Sequence, residues 1–127
     1  MSSVNLTQIL IFTRQFSSMI GSQLQLAYVL ENLAKETPNR QMRETIEEIL
    51  DYVLNGTDLA DAFESHSKIF NDIYINVVRA GMESGMLGNA LDQIGTYLEV
   101  ADQMRRKVRA AMSYPIFMLA AFFIVFN

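Results

Sequence analysis

Residues 87–126 read LGNALDQIGTYLEVADQMRRKVRAAMSYPIFMLAAFFIVF. Leu87, Leu91, Ile94, Leu98, Ala101, Val108 and Met112 follow a three-then-four rhythm, the spacing that lines one face of an α-helix. The stripe runs into Ala110–Phe126, 17 residues that no charge interrupts. As a helix they rise roughly 26 Å at ~1.5 Å per residue. A bilayer core is about 30 Å thick and takes about 20 residues to cross. The expectation is a long last helix that enters a membrane and is cut short there, with Pro115 as a kink. Arg105, Arg106, Lys107 and Arg109 stand at the near end of the apolar run. Lys and Arg gather on the cytoplasmic side of a span. That places residues 1–109 in the cytoplasm and makes 110–127 the start of a first transmembrane helix.

Working back along the chain, the pattern stays helical. Ile9, Phe12, Phe16, Met19 and Ile20 make one stripe, which Gly21 should end. A second helix is expected from about Leu24 to Lys35, with Leu26, Leu30 and Leu33 on one side and Val29 beside them. Thr37-Pro38-Asn39 breaks it. A third, about Gln41 to Leu54, turns Ile46, Ile49, Leu50 and Val53 inward and ends at Asn55-Gly56. Thr57 or Asp58 caps a short fourth helix through Phe63, and Ser65–Ser67 is a loop. A fifth runs from about Asn71 to Ala80 or a little beyond, with Ile73, Val77 and Val78 buried, and Gly81–Gly85 forms the next turn. No window alternates with period two for long, so no strand is expected. The reading is an all-α antiparallel bundle of about six helices with short connections.

Composition narrows function. No cysteine is present, which removes disulfides, thiolate metal sites and a thiol nucleophile. His66 is the single histidine. Residues 1–104 carry all 14 acids and 6 of the 10 bases, a net −8, and residues 105–127 carry +4. A body this acidic argues against nucleic acid as a partner.

Few residues look chemical. Gly81-Met82-Glu83-Ser84-Gly85 resembles a phosphate loop but lacks the Lys-Ser/Thr pair that would follow. Ser84 has only His66 as a possible base. Glu44, Glu47, Glu48 and Asp51 read as a solvated helix face, with a metal set as the alternative. Asp58 and Asp61 read as capping and surface residues. Glu99 and Asp102, one turn apart, could share a cation across a subunit contact. Met82, Met86, Met104, Met112 and Met118 read as core, with an adaptable contact surface as the alternative. The tyrosines Tyr28, Tyr52, Tyr74, Tyr97 and Tyr114 divide the same way. No catalytic, cofactor-binding or metal-binding set is expected.

Several segments together resemble a known family. Phe12-Thr13-Arg14-Gln15-Phe16 followed by Gly21 and Leu24 is similar to the opening of the type II secretion system F-protein domain, shared with inner-membrane platform proteins of type IV pili. Leu54-Asn55-Gly56-Thr57-Asp58-Leu59 resembles its leucine-x-glycine-x-x-leucine segment. Ala80-Gly81-Met82-Glu83-Ser84-Gly85-Met86-Leu87 resembles its alanine-glycine-glutamate-x-serine-glycine-x-leucine signature, with Met82 in place of the glutamate. Tyr97-Leu98-Glu99, then Arg105, Lys107, Ala111, Tyr114 and Pro115, resemble its exit into the first membrane helix. Gln23 and Ser67 stand where prolines are common.

The resemblance covers about residues 9 to 127. It implies a six-helix cytoplasmic bundle that self-associates. It also implies a non-enzymatic platform in the bacterial inner membrane, needing no cofactor. Its implied partners are a cytoplasmic ATPase, other inner-membrane assembly proteins, pilin or pseudopilin subunits and, through the C-terminal segment, the lipid bilayer. The rival expectation is a soluble helical protein–protein interaction module whose last helix is core.

Overall fold

Six helices account for the regular structure of the computed structural model, which describes residues 4–20 and 25–126. They are α1 (Leu6–Ile20), α2 (Leu26–Glu36), α3 (Arg40–Leu54), α4 (Leu59–Glu64), α5 (Asp72–Ser84) and α6 (Leu87–Phe126). The expected stop at Gly21 and start at Leu24 lie outside the described residues.

Local chemistry sets most of the ends. Asn5 Oδ1 accepts from the Gln8 amide at 3.0 Å, and Gln8 Oε1 accepts from the Asn5 amide at 3.4 Å, a reciprocal cap on α1. Asn39 and Asn71 cap α3 and α5 through the Met42 and Tyr74 amides. Thr37, extended before Pro38, closes α2. Two glycines with positive φ end α3 and α5, Gly56 at +90° and Gly85 at +73°. After each glycine the next amide reaches five residues back, Thr57 to Tyr52 and Met86 to Gly81, both at 2.9 Å. That is the Schellman arrangement, which an L side chain at the glycine would strain.

Each helix packs on the next, and α1 closes the ring against α6. Ser17 meets Gly88, Arg14 meets Asp92 and Glu99, and Thr7 borders Asp102, so α1 and α6 run antiparallel. The centre is aromatic. Phe12, Phe16, Phe63, Phe70 and Tyr74 are buried within one another's reach, with Phe63–Phe70 centroids 4.6 Å apart, edge to face. Around them lie Leu30, Leu33, Ile46, Ile49, Leu91, Ile94 and Leu98.

A deep polar contact joins α1 to α5. The Thr13 hydroxyl donates to the Ile9 carbonyl at 2.7 Å, so the Tyr74 hydroxyl, 2.8 Å away, donates to Thr13. Burial pushes the Tyr74 pKa up, and the Thr13 contact only partly opposes this.

Four details differ from the sequence reading. The fifth helix continues to Ser84, so Gly81–Gly85 is its last turn and cap, not a separate loop. Its inward face is Tyr74, Ile75, Val78 and Gly81, whereas Ile73 is 52% exposed and Val77 half-buried. The aliphatic residues drew the sequence reading, but the tyrosine ring is the larger apolar body and Thr13 satisfies its hydroxyl. On α3, Leu50 and Val53 are half-buried and Met42 and Thr45 complete the buried stripe. Asp58 holds the N-cap position of α4 without capping it, and its carboxylate lies 3.8 Å from Arg79.

Two outcomes follow for stability. Phe63→Ala should cost about 3–5 kcal/mol and Ile73→Ala less than about 0.5 kcal/mol, as read by urea denaturation in mild detergent. An acid whose native pKa is raised above its ordinary value of 10.0 keeps its contribution below pH 10.0 and loses it as pH rises beyond. The stability advantage of the wild type over Tyr74→Phe should therefore hold flat to that pH. Above it the advantage should shrink by up to about 1.4 kcal/mol per pH unit. A flat difference at higher pH would contradict the assignment.

Candidate functional site: the junction of bundle and stalk

The long helix changes surroundings part-way along its 40 residues. Ala90, Leu91, Ile94 and Leu98 are buried in the bundle, and Ala101 and Asp102 are half-buried. From Gln103 to Val125 every residue is exposed. Val108 and Met112 continue the apolar stripe but have nothing to pack against, at 59% and 56% exposed. Beyond the bundle the helix rises about 36 Å to Phe126 at ~1.5 Å per residue. It passes through Pro115 without interruption. It is the one helix, among the described residues, long and apolar enough to cross a membrane, and none of its most apolar window is buried. The alternative of a final core helix is not what forms, since Ile116, Phe117, Leu119, Phe123 and Ile124 are 60–79% exposed.

Two close approaches hold the first half of α6 in place. Gly81 on α5 sits so near α6 that an added Cβ would fall 2.7 Å from Ala90 Cβ and 3.1 Å from Leu87 Cα. The neighbouring atoms are backbone or short side chain and cannot swing away, so the glycine sets the α5–α6 spacing. Opposite, Arg14 reaches from α1. Its Nη1 lies 3.0 Å from Asp92 Oδ1 and its Nη2 2.9 Å from Glu99 Oε2, with Nε donating to Glu99 Oε1 at 3.0 Å. This is a forked pair with Glu99 plus a second carboxylate two turns away. The hydrogen bond with Glu99 raises the guanidinium pKa further, so its charge is permanent. The fork lies flat on Gly95, where a Cβ would come within 2.8 Å of it. Arg14 is the only charged residue in positions 1–30, and that isolation was the available signal for an inter-helix role.

The remaining candidates are dispersed. Glu99 is taken by Arg14 and Asp102 by Arg106 at 3.2 Å, so the carboxylates proposed to share a cation face two different cations. Among the described residues no group of three His, Asp or Glu side chains is placed to hold a metal. Glu44 and Glu47 pair with Arg40 and Arg43 one turn away. Glu48 Oε2 lies 2.9 Å from His66 Nε2, without the alignment of a hydrogen bond. Ser84 donates to the Gly81 carbonyl in its own turn. Arg79 binds Asp61 at 3.0 Å and Glu64 at 3.3 Å, tying α5 to α4. Met82, Met86, Met104, Met112 and Met118 are exposed, against the core reading. Met104, Met112 and Met118 lie where α6 has left the bundle. Of the tyrosines Tyr74 is buried, and Tyr28, Tyr52, Tyr97 and Tyr114 are exposed.

The two positive-φ glycines, the tight Gly81 contact and the apolar exit fall on the segments quoted above as the family's signature. Residues 12–126 match the family described as type II secretion system (T2SS), protein F. The chain belongs to that family. It is 39% identical over 111 residues to the type IV pilus assembly protein PilC of Thermus thermophilus, covering 87% of this chain and 27% of that protein. The PilC of Pseudomonas aeruginosa is 35% identical over 117 residues, covering 92% and 31%. The type II secretion system protein F of Aeromonas hydrophila is 28% identical over 110 residues, covering 87% and 28%. The chain thus spans about 30% of the length of these F-family relatives.

Arg14 and Glu99 are each partly open to water, at 32% and 47% side-chain exposure, so the pair lies in the range for surface ion pairs. A double-mutant cycle with Arg14→Ala and Glu99→Ala should return about 0.2–1 kcal/mol, and high salt should reduce it. A zero coupling energy at low salt would remove Arg14 as the clamp on α6.

Proposed function

We propose that this chain is the first cytoplasmic domain and first membrane entry of a non-catalytic inner-membrane platform in a type II secretion or type IV pilus machine. Residues 1–109 form the cytoplasmic bundle and residues 110–127 begin the first transmembrane helix. The bundle receives motion from a cytoplasmic ATPase, and α6 carries it into the membrane where pilin or pseudopilin subunits are added.

The observation that supports this most is the continuity of α6 from buried core to fully exposed apolar segment. Leaving Ile116, Phe117, Leu119, Phe122, Phe123, Ile124 and Val125 in water forgoes about 10–20 kcal/mol of burial, at 1.5–3 kcal/mol each. That equals or exceeds the whole stability of an ordinary domain, about 5–15 kcal/mol. The segment therefore needs an apolar medium, and a bilayer supplies one at the length available. The bases at 105–109 favour the cytoplasm for the bundle. A helix clamped on two sides inside the bundle transmits a tilt or a shift to the start of the apolar run, because it stays helical from Leu87 past the last bundle contact, and Pro115, the one position without a ladder donor, lies beyond the basic residues. The work asks for stiffness and docking surfaces, and no residue set in the bundle is needed for bond making.

The test uses the intact parent protein in its host. Gln103 is exposed and stands immediately after the bundle. Gln103→Pro breaks the helix there, at about 3 kcal/mol or more, without touching the core. Piliation or secretion should fall at least tenfold while the protein still fractionates with membranes, and Gln103→Ala should be silent. Unchanged assembly in the proline variant would overturn transmission through α6.

A further inference from the structure

Within the bundle, five of the six bases, Arg14, Lys35, Arg40, Arg43 and Arg79, have carboxylate partners, and Lys68 makes no ion pair among the described residues. At the junction the balance reverses. Arg106 pairs with Asp102, but Arg105, Lys107 and Arg109 make no ion pair among the described residues. At 3.6 residues per turn, Asp102, Arg105, Arg106 and Arg109 fall on one side of α6 and Lys107 on another. The start of α1 faces that side. Asn5 and Thr7 join those four residues in lining a cleft of about 310 Å³, with no apolar side chain in its wall. The volume is at the small end for ligand clefts, about 300–1,000 Å³. Asp102, at 13% exposure, is neutralised by Arg106, so the cleft keeps a surplus of two positive charges.

The height of the cleft identifies what fills it. Arg109 immediately precedes the apolar run, and Arg105 lies about 6 Å further out at ~1.5 Å per residue. The headgroup layer on each side of a bilayer is roughly 5–8 Å deep. On the reading that residues 110–126 enter a bilayer, on which this inference rests, both guanidiniums stand at headgroup level. Guanidinium forks match phosphate oxygens, two donors at a time.

We propose that the cleft between the start of α1 and the basic side of α6 is a binding site for the phosphate of an anionic phospholipid headgroup. The same fork chemistry suits free phosphate. The position against the membrane surface commits the site to lipid, whose headgroups are held there at high local concentration. A bound headgroup ties the first helix of the bundle and the stalk to the membrane at one point, and so fixes how the bundle stands on it.

The experiment is native mass spectrometry of the full chain released from nanodiscs of equal parts phosphatidylglycerol and phosphatidylcholine. Arg105 and Arg109 are exposed and make no ion pair among the described residues, so Arg105→Gln/Arg109→Gln should fold as the wild type does. At the gain known for basic residues at an anionic surface, two such arginines correspond to a phosphatidylglycerol preference of about 30-fold. The double variant should lower the preference at least tenfold, and Lys107→Gln, off the cleft, should lower it far less. Equal enrichment in wild type and double variant overturns the site while leaving the membrane reading standing. Failure of the wild type to insert into nanodiscs of either lipid overturns both. In pure phosphatidylcholine with millimolar inorganic phosphate, phosphate adducts that require Arg105 and Arg109 would assign the cleft to free phosphate and overturn the lipid. Their absence supports it.

Discussion

One helix has to satisfy two solvents. The first fifteen or so residues of α6 are stable only against the aromatic and aliphatic core of the bundle, and the residues after Ala110 only in an apolar medium that the bundle does not provide. Nothing in the backbone marks the change, since the i to i−4 ladder continues through it. What marks it is charge. Asp102 closes the bundle-facing half, and four bases fill the five positions after Met104. A charged collar of this kind cannot slide into hydrocarbon without a cost of about 2.5–3.5 kcal/mol per base. It marks the place where the bundle-facing half of α6 ends and its exposed apolar half begins.

The bundle grips α6 by two different means. Toward α5 the grip is steric. Gly81 lets two helices approach until Ala90 and Leu87 touch the backbone, and a contact of that kind permits little sliding. Toward α1 the grip is electrostatic. Arg14 spans Asp92 and Glu99, about two turns of α6, and rests on Gly95. Surface pairs of this type contribute little to stability, but a fork fixed at both ends sets register. The aromatic cluster and the Thr13–Tyr74 hydrogen bond hold α1 to α4 and α5 behind it. The first half of α6 is thus seated in a socket built by α1 and α5.

The family signature acquires physical meaning in this arrangement. In Ala80–Leu87, Gly81 serves the close approach and Gly85 the left-handed cap, while the Met82 and Glu83 side chains are exposed and Met82 contributes only its carbonyl, which accepts from the Gly85 amide at 3.4 Å. The glutamate of the family pattern is therefore not what holds this turn together. Gly56 performs the same capping after α3. The segment that looks like a phosphate loop in the sequence and the Asn55-Gly56 stop are both helix terminators, and each directs the chain into the next helix of the ring.

Sequence alone determined the helical class, the number of helices, most of their ends and the apolar exit. These depend on local periods, on Asn, Gly and Pro at termini, and on the contrast between charged and uncharged stretches, all of which act over a few residues. It misjudged the inward face of α5 because Ile73 and Tyr74 are adjacent and only the position of Thr13, 61 residues earlier, makes the tyrosine the buried one. It gave Arg14 no ion-pair role, because both carboxylates it meets lie on a helix 78 to 85 residues later in the chain. Tertiary structure alone decided which charges meet, which glycine separates two helices, and where α6 leaves its core. Those outcomes depend on distances between segments far apart in the chain, and a pattern that repeats every few residues carries no record of them.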